Sequence, residues 1–152
     1  MSFPTVPTAP AVQTQDTLTL SQVRDTLVSA AARRWGVDPA LAVAVSHVEN
    51  WTGQPRAISS RGAVGLMQVM PFHLGRFPGC APVSPLAAVL NVQTVLRQED
   101  LYDPVINVCY GVRLLRHYLR VCHGRLGCAL VLYSGGASNY VALVHQRINQ
   151  GS

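Results

Sequence analysis

A glutamate at the end of an apolar stretch is the residue of this sequence best suited to acid–base chemistry. Glu49 is one of two glutamates in the 152-residue chain, and the largely apolar residues 40–48 precede it. This run is apolar nearly all round a helix and therefore predicts a buried helix. Desolvation and the negative end of the helix dipole both raise the pKa of a carboxyl group there, as a general acid near neutral pH requires. Position at a helix end does not by itself indicate catalysis, because most glutamates in such places are simply solvated.

The sequence after Glu49 resembles a known family signature. Residues 55–71 read P-R-A-I-S-S-R-G-A-V-G-L-M-Q-V-M-P. They resemble the lytic transglycosylases of the soluble-lytic-transglycosylase, goose-lysozyme-like superfamily, in which P-x-A-x-S and G-x-x-G-L-M-Q-x-M-P follow the catalytic glutamate. Residues 101–115 are similar to the family stretch L-x-D-P-x-x-N-x-x-x-G-x-x-x-L, and residues 129–136 to its A-L-A-A-Y-N-x-G block. With the final tyrosine motif at Tyr140, the resemblance covers roughly residues 20–148.

The resemblance implies a reaction on the glycan strands of bacterial peptidoglycan. Protonated Glu49 would donate to the oxygen that links N-acetylmuramic acid to N-acetylglucosamine, with help from the muramoyl N-acetyl group. Deprotonated Glu49 would then take the proton of the 6-hydroxyl and close a 1,6-anhydro ring, and no cofactor or metal is implied. Two alternatives remain: a muramidase that hydrolyses the same bond, and a more distant non-catalytic cell-wall-binding module.

Seven residues of these motifs are predicted to bind substrate. Ser59 and Gln68 carry short neutral groups that suit sugar N-acetyl and hydroxyl groups, and Gly65 lets the backbone approach the glycan. Met67 and Tyr133 are expected to form apolar walls; the alternatives are core filling for Met67 and a buried ring for each tyrosine. The predicted set is Ser59, Gly65, Met67, Gln68, Tyr133, Ser134 and Tyr140.

Three departures from the family pattern bear on substrate affinity. Asn50 stands where the family usually has serine, and it can still donate a hydrogen bond. The loop from Glu49 to Pro55 is one residue longer than expected, and Ser134 replaces the asparagine of the A-Y-N-x-G block. None of the three removes the acid.

The distribution of carboxylates bears on the choice between transglycosylase and hydrolase. Glycosidases usually need two carboxylates beside the scissile bond, with substrate-assisted enzymes as exceptions. No Asp or Glu lies between Glu49 and Glu99. A second catalytic carboxylate would have to come from the N-terminal segment or from Asp38, Glu99, Asp100 or Asp103.

The elements that would position these residues are helices. A first helix is predicted to begin after Thr19 or Ser21 and to end near Trp35, and a second one to run from about Ala40 to Glu49. Further helices are predicted at 64–70 and 86–98, from Asp103-Pro104 onward, and over 126–133 and 140–148. Without a strand-rich region, the chain is expected to be all-α: a compact, lysozyme-like helical domain with an active-site cleft over 19–152. Residues 1–18, rich in Pro and Thr, predict a mobile leader.

Four cysteines permit two disulfides in an oxidising compartment. Cys122 and Cys128 flank a short turn and are the preferred pair, whereas Cys109 lies on an apolar helical stripe and is expected to be plain core. A metal site formed by His117, Cys122, His123 and Cys128 matches no known zinc-ligand spacing. Likewise, the H-x-E match at His47 lacks the P-C-x-x-C of zinc deaminases.

Charge and hydropathy narrow the partners. Residues 104–152 hold five arginines and no acidic residue, so the net charge of +5 resides there and would attract a polyanion such as peptidoglycan. No stacking platform or groove-reading motif for nucleic acid accompanies it. No apolar run is long enough to span a membrane, and no signal peptide is evident. Action outside the cytoplasm, at the cell wall, is expected through host lysis, a phage particle or secretion apparatus, or after removal of a signal peptide.

Overall fold

The described part of the chain folds as a set of packed helices. The computed structural model describes residues 1–11, 16–81, 89–90 and 96–151. Among these residues, the α-helices described from end to end are α1 (Leu20–Trp35), α2 (Pro39–Glu49), α3 (Pro104–Val121), α4 (Leu126–Ser134) and α5 (Tyr140–Gln150), and short 3-10 helices lie at Pro71–His73, Pro78–Cys80 and Gln98–Tyr102. The described residues contain no strand longer than an isolated bridge. The prediction of an all-α fold is confirmed.

Capping side chains fix where the helices begin. The Thr19 hydroxyl accepts the backbone N–H of Gln22 at 3.1 Å, and the Gln22 side chain accepts the Thr19 N–H at 2.8 Å. Asp38 accepts the Ala40 N–H at 2.9 Å at the start of α2. Each bond satisfies a backbone donor that the first turn of a helix leaves free. The two helices predicted for this region are therefore confirmed.

The helices enclose one core. α1 packs on α2 and α3, α2 also packs on α5, and α4 lies between α3 and α5. Val28 and Ala32 of α1, Val45 of α2, Leu115 of α3 and Leu130 of α4 are fully buried in it. Among the helices of the described residues, none is both long enough and apolar enough to cross a bilayer.

The prediction of a short helix over 64–70 is wrong. Val64 instead forms isolated antiparallel bridges with Ile58 and with Val69. The φ angles of Gly65 and Gln68 are +79° and +50°, in the left-handed region that a right-handed helix excludes. We call residues 57–69 the turn segment, because successive tight turns replace the helix.

Two other predictions fall on or beside residues outside this description. The predicted helix over 86–98 lies mostly outside the described residues. Residues 1–11 and 16–19 are described, carry no helix and are exposed. The mobility of a leader over 1–18 stays a prediction.

Two disulfides join the helices to their surroundings. Cys122 pairs with Cys128 across a Cα–Cα distance of 5.8 Å, which confirms the predicted pair. The prediction that Cys109 is plain core is wrong. It pairs with Cys80 and so joins α3 to the 3-10 helix Pro78–Cys80. Helical periodicity placed Cys109 on the inner face of α3 but could not show a partner 29 residues away.

Candidate active site

Glu49 is the last residue of α2 and is half-buried. Its Oε1 accepts a hydrogen bond from the Tyr140 hydroxyl at 2.6 Å. Burial raises the pKa of Glu49 to about 7, and the Tyr140 hydrogen bond opposes that rise because it stabilises the carboxylate. A carboxyl group with this pKa can donate and accept a proton near neutral pH.

Tyr140 begins α5 and is only 6% exposed. Burial and the neighbouring Glu49 carboxylate both raise the pKa of its phenol, so it stays a hydrogen-bond donor. The sequence placed it among residues that bind sugar. Because its ring is buried and its hydroxyl is occupied, the structure favours the alternative of a buried ring, with Glu49 as the group that satisfies it.

Asn50 connects the end of α2 to the following loop and to the turn segment. Its Nδ2 donates to the carbonyl oxygens of Gln54 at 2.8 Å and Gly65 at 3.1 Å. Its Oδ1 accepts from the Thr52 hydroxyl at 2.9 Å and the Gly53 N–H at 3.1 Å. An asparagine has enough donors and acceptors for all four bonds, whereas a serine hydroxyl has one donor. The longer loop and the asparagine therefore belong together structurally.

A second asparagine holds the turn segment from α3. Asn107 is fully buried; its Oδ1 accepts the Met67 N–H at 2.9 Å, and its Nδ2 donates to the carbonyl oxygens of Val64 at 2.7 Å and Leu101 at 3.0 Å. A Cβ on Gly65 would overlap the Asn107 amide. This packing and a positive φ require glycine at 65, so the predicted reason, approach to a sugar, is not the one that the structure gives.

Met67 does not line a cleft, which corrects the predicted apolar wall. Its side chain is fully buried and lies against Gly111 of α3. The core alternative therefore holds, and the residue contributes its backbone carbonyl oxygen, which accepts from the Tyr133 hydroxyl at 2.9 Å. Tyr133 is half-buried, and the charge of Glu49 contributes to raising the pKa of its phenol, after burial. Tyr133 and Tyr140 thus both lie close enough to Glu49 to interact with it.

The polar residues predicted to bind sugar are mostly used by local turns. The Ser59 hydroxyl accepts the Ala63 N–H at 3.1 Å. The Ser134 hydroxyl donates to the Val131 carbonyl oxygen at 3.1 Å, within its own helix end. Gln68 donates from Nε2 to the Gly65 carbonyl oxygen at 3.0 Å. Among the described residues, no hydrogen bond joins these three side chains to Glu49.

A buried arginine beside Glu49 was missed from the sequence. Arg24 of α1 is 1% exposed, and one guanidinium nitrogen donates to the Asn50 carbonyl oxygen at 2.6 Å. The other terminal nitrogen donates to the Ser21 hydroxyl at 2.7 Å, and Nε pairs with Asp25 at 3.2 Å. Arg24 therefore anchors the residue that follows Glu49. Its spacing one and two turns before the buried Val28 and Ala32 was the available signal.

Most of the other carboxylates already have structural partners. Asp25 contacts His47 Nε2 at 2.7 Å, and burial lowers the pKa of that imidazole more than this contact raises it. Asp38 and Asp103 cap the helices α2 and α3, and Asp100 accepts the Arg97 N–H at 2.6 Å. Within the described part of the chain, Glu49 has no carboxylate partner in its hydrogen bonds.

The arrangement of helices has a counterpart among solved structures. The 70 kDa soluble lytic transglycosylase SLT70 of Escherichia coli superposes with a TM-score of 0.57 at 18% sequence identity. The match covers 81% of this chain and 18% of that chain. It shows that the fold is that of a lytic transglycosylase domain.

The family follows from the sequence match. The profile of the Transglycosylase SLT domain matches residues 26–150, which is most of the chain. This chain belongs to that family. It is 33% identical over 111 residues to a transglycosylase of Enterobacteria phage PRD1, and 31% identical over 111 residues to the membrane-bound lytic murein transglycosylase E of Buchnera aphidicola. These alignments cover 73% and 71% of this chain but only 34% and 47% of those relatives, so the chain spans less than half the length of either.

Proposed function

We propose that this chain is a peptidoglycan lytic transglycosylase with Glu49 as its single catalytic acid. The observation that carries the proposal is the half-buried carboxyl group of Glu49, with a pKa of about 7, in a domain of the Transglycosylase SLT family. The catalytic domain is assigned to residues 19–152, with residues 1–18 as a leader.

In this mechanism, Glu49 acts twice. Protonated Glu49 donates to the glycosidic oxygen between N-acetylmuramic acid and N-acetylglucosamine while the substrate's own N-acetyl group assists. The resulting carboxylate, stabilised by the Tyr140 hydroxyl, takes the proton from the 6-hydroxyl as that oxygen attacks the anomeric carbon. The 1,6-anhydro end that forms needs no activated water. The engagement of Asp25, Asp38, Asp100 and Asp103 in structural contacts supports this route over hydrolysis with a second carboxylate.

The turn segment and Tyr133 form the remaining part of the proposed site. Gln68 and Ser59 lie on this segment, and its backbone is fixed by Asn50 from one side and Asn107 from the other. We assign sugar contacts to Gln68, Ser59 and the half-buried face of Tyr133, and retain Ser134 as a more peripheral contact.

The site of action is proposed to be the cell wall, outside the cytoplasm. Two disulfides support this, because such bonds form and persist in oxidising compartments. The relatives from phage PRD1 and Buchnera aphidicola are named as a transglycosylase and a membrane-bound murein transglycosylase, which agrees with that location. Delivery by host lysis, by a phage particle or secretion apparatus, or after removal of a signal peptide stays a prediction.

Replacement of Glu49 by Gln tests the acid. The amide cannot donate the proton, so lysis of purified cell walls should fall roughly 100- to 10,000-fold, the range of general acid–base terms. Glu99→Gln changes the only other glutamate, which is exposed, and should leave lysis unchanged. Clearing by Glu49→Gln at a rate close to that of wild type would refute the assignment.

Mass spectrometry of the wild-type digest tests the product. A transglycosylase leaves anhydromuropeptides, which are lighter by one water than the reducing ends that a hydrolase leaves. Digests that contain only reducing ends would replace the proposed function with that of a muramidase.

A further inference from the structure

A concave surface lies beside the end of α2, apart from the residues assigned to catalysis. Its volume is about 460 Å³, and it is bounded by the last turn of α2, the following Trp51, and one face of α5. We call it the α2–α5 groove. Its lining comprises His47, Val48, Trp51, Leu143, Gln146, Arg147 and Gln150. None of these residues belongs to the turn segment or to the proposed catalytic site.

One wall of the groove is the exposed indole ring of Trp51. It lies two residues after Glu49, and its side chain is 82% exposed. A single exposed apolar side chain is ordinary, but here the indole and the exposed Leu143 of α5 line the same concavity, and clustered exposed apolar surface is typical of a contact site. A flat aromatic ring next to amide side chains suits a pyranose, which offers an apolar ring face and polar edges.

The floor of the groove is polar and carries a positive charge. Gln146, Arg147 and Gln150 are exposed on α5. Arg147 donates to the Gln150 side chain at 3.3 Å, and its guanidinium also contacts His47 Nδ1. These two contacts orient a guanidinium whose remaining donors can pair with a carboxylate. Asp25, the acidic side chain that lines an adjoining cavity together with Arg147, is already paired with His47 Nε2 at 2.7 Å and with Arg24 Nε at 3.2 Å.

The groove and the proposed catalytic site lie along the same helix, α5. Tyr140, the first residue of this helix, donates to Glu49, and Arg147 lies seven residues further along. At a rise of 1.5 Å per residue, the separation along the helix axis is about 10 Å. A short oligosaccharide can span that distance, so one glycan strand can contact both places.

We propose that the α2–α5 groove is a second carbohydrate-binding site, which holds a muramic-acid part of the glycan strand away from the scissile bond. Trp51 stacks on a sugar face, Gln146 and Gln150 bind its hydroxyl or amide groups, and Arg147 pairs with a carboxylate. That carboxylate is either the lactyl group of an unsubstituted muramic acid or a carboxylate of the stem peptide. The identity of the glycan rests on the proposed function, but the binding does not require catalysis.

Binding is measured by calorimetry with the full chain carrying Glu49→Gln, so that the glycans stay intact. Three tetrasaccharides serve as probes: chitotetraose without carboxylate, the alternating muramic-acid glycan with free lactyl groups, and the same glycan with stem peptides. Trp51→Ala should weaken the binding of all three roughly tenfold, as truncation of a central aromatic contact does. Phe3→Ala removes another exposed aromatic residue, before α1, and should have no effect.

Arg147→Gln tests the charged contact. It should weaken binding of the carboxylate-bearing glycans and leave chitotetraose unaffected. If only the free lactyl glycan is weakened, the lactyl group is the partner; if only the peptide-bearing glycan is weakened, the stem peptide is. Arg33→Gln removes one exposed charge from α1 and controls for long-range attraction.

Normal glycan binding by Trp51→Ala, with an unchanged unfolding temperature, would refute the proposal that the α2–α5 groove binds carbohydrate. Equal losses for Arg147→Gln and Arg33→Gln would overturn the pairing with a carboxylate. Both results leave the proposed function intact, because that function is judged by the lysis that Glu49→Gln loses. Cleavage of the probes by the Glu49→Gln protein would contradict the proposed function instead, and Trp51→Ala on uncleaved chitotetraose would still decide the groove.

Discussion

Two opposing effects act on the Glu49 carboxyl group. Burial favours the neutral acid, whereas the Tyr140 hydroxyl donates to Oε1 and favours the carboxylate. The balance leaves the pKa at about 7. The same hydrogen bond therefore assists the basic half of the proposed reaction and weakens the acidic half.

Tyr140→Phe separates these two halves. Without the hydrogen bond, the pKa of Glu49 should rise further, because only burial remains. The protonated acid is needed for the first step, so cleavage falls as the pH rises through this pKa, and that falling limb should move to higher pH. A pH profile of kcat on soluble glycan measures the shift. Tyr102→Phe changes a half-buried tyrosine that stacks with Arg56 and should leave the limb in place; an unshifted limb in Tyr140→Phe would contradict the assignment.

Single residues show what a motif match can and cannot predict. The match located Glu49, Gln68 and Tyr133 at or beside the proposed site. It could not give the direction of a side chain: Met67 points into the core. Asn107 was recognised only as a position in a motif, although its amide holds two carbonyl oxygens and one N–H of neighbouring loops.

At the scale of elements, α3 and the turn segment are fitted to each other. Gly111 of α3 faces the Met67 side chain so closely that a Cβ would overlap it. The Met67 side chain is fully buried, and because protein cores are close-packed, its displacement by a new Cβ would disturb other contacts. The backbone of the turn segment therefore depends on a glycine 44 positions away from Met67 in the chain.

Gly111→Ala should destabilise the domain by about 1–3 kcal/mol, the usual cost of overpacking a core. Gly127 is a matched control: it also lies in a helix, and a Cβ there meets no atom within 4 Å. Gly127→Ala should leave stability unchanged or raise it by about 0.5–1 kcal/mol, because alanine restricts the unfolded chain more than glycine does. Urea unfolding of both variants measures the difference, and similar midpoints would contradict the contact.

The helices were predictable because their signals are local. Thr19, Asp38 and Asp103 cap helices through atoms within three residues of themselves. The turn segment was mispredicted because its geometry depends on distant side chains, Asn50 and Asn107, which satisfy its backbone groups in place of helical hydrogen bonds.

At the scale of the whole molecule, the two disulfides constrain the chain very differently. Cys80–Cys109 closes a loop with a sequence separation of 29, whereas Cys122–Cys128 spans a separation of 6. The local pair was predictable from the turn that its cysteines flank. The long-range pair was not, because it requires the 3-10 helix at Cys80 to lie against α3.

Replacement of each cysteine pair by alanine should reveal this difference. In the chain-entropy description, the loss of Cys80–Cys109 costs roughly 3.5 kcal/mol and that of Cys122–Cys128 roughly 2 kcal/mol. Chemical denaturation of the two double variants measures both values. A larger loss for the Cys122–Cys128 variant would show that the short bridge contributes mainly through native-state packing.

The arginines of residues 104–152, which carry the net positive charge, are not all equally available to a ligand. Arg113 is not free on the surface, since its guanidinium lies 4.1 Å from the Trp35 ring centroid and 4.7 Å from that of Phe77. Its charge is combined with packing of α3 on α1. Electrostatic attraction of the wall by this region stays a prediction, carried by the more exposed arginines.

The buried carboxyl group also sets a limit on how stable this domain can be at alkaline pH. An unfolded glutamate loses its proton near pH 4.5, whereas folded Glu49 keeps its proton to about pH 7. Between these values the folded state binds more protons, so its stability falls as the pH rises and does not recover above pH 7. Glu49→Gln escapes this penalty and should gain up to about 3 kcal/mol at pH 8 but little at pH 4. Thermal unfolding of both proteins at the two pH values measures the gain. If the difference in stability between the two proteins is the same at both pH values, ionisation of Glu49 does not destabilise the folded state. If the inactive Glu49→Gln protein is more stable than the wild type, the carboxyl group at this position has been kept for activity at a cost in stability.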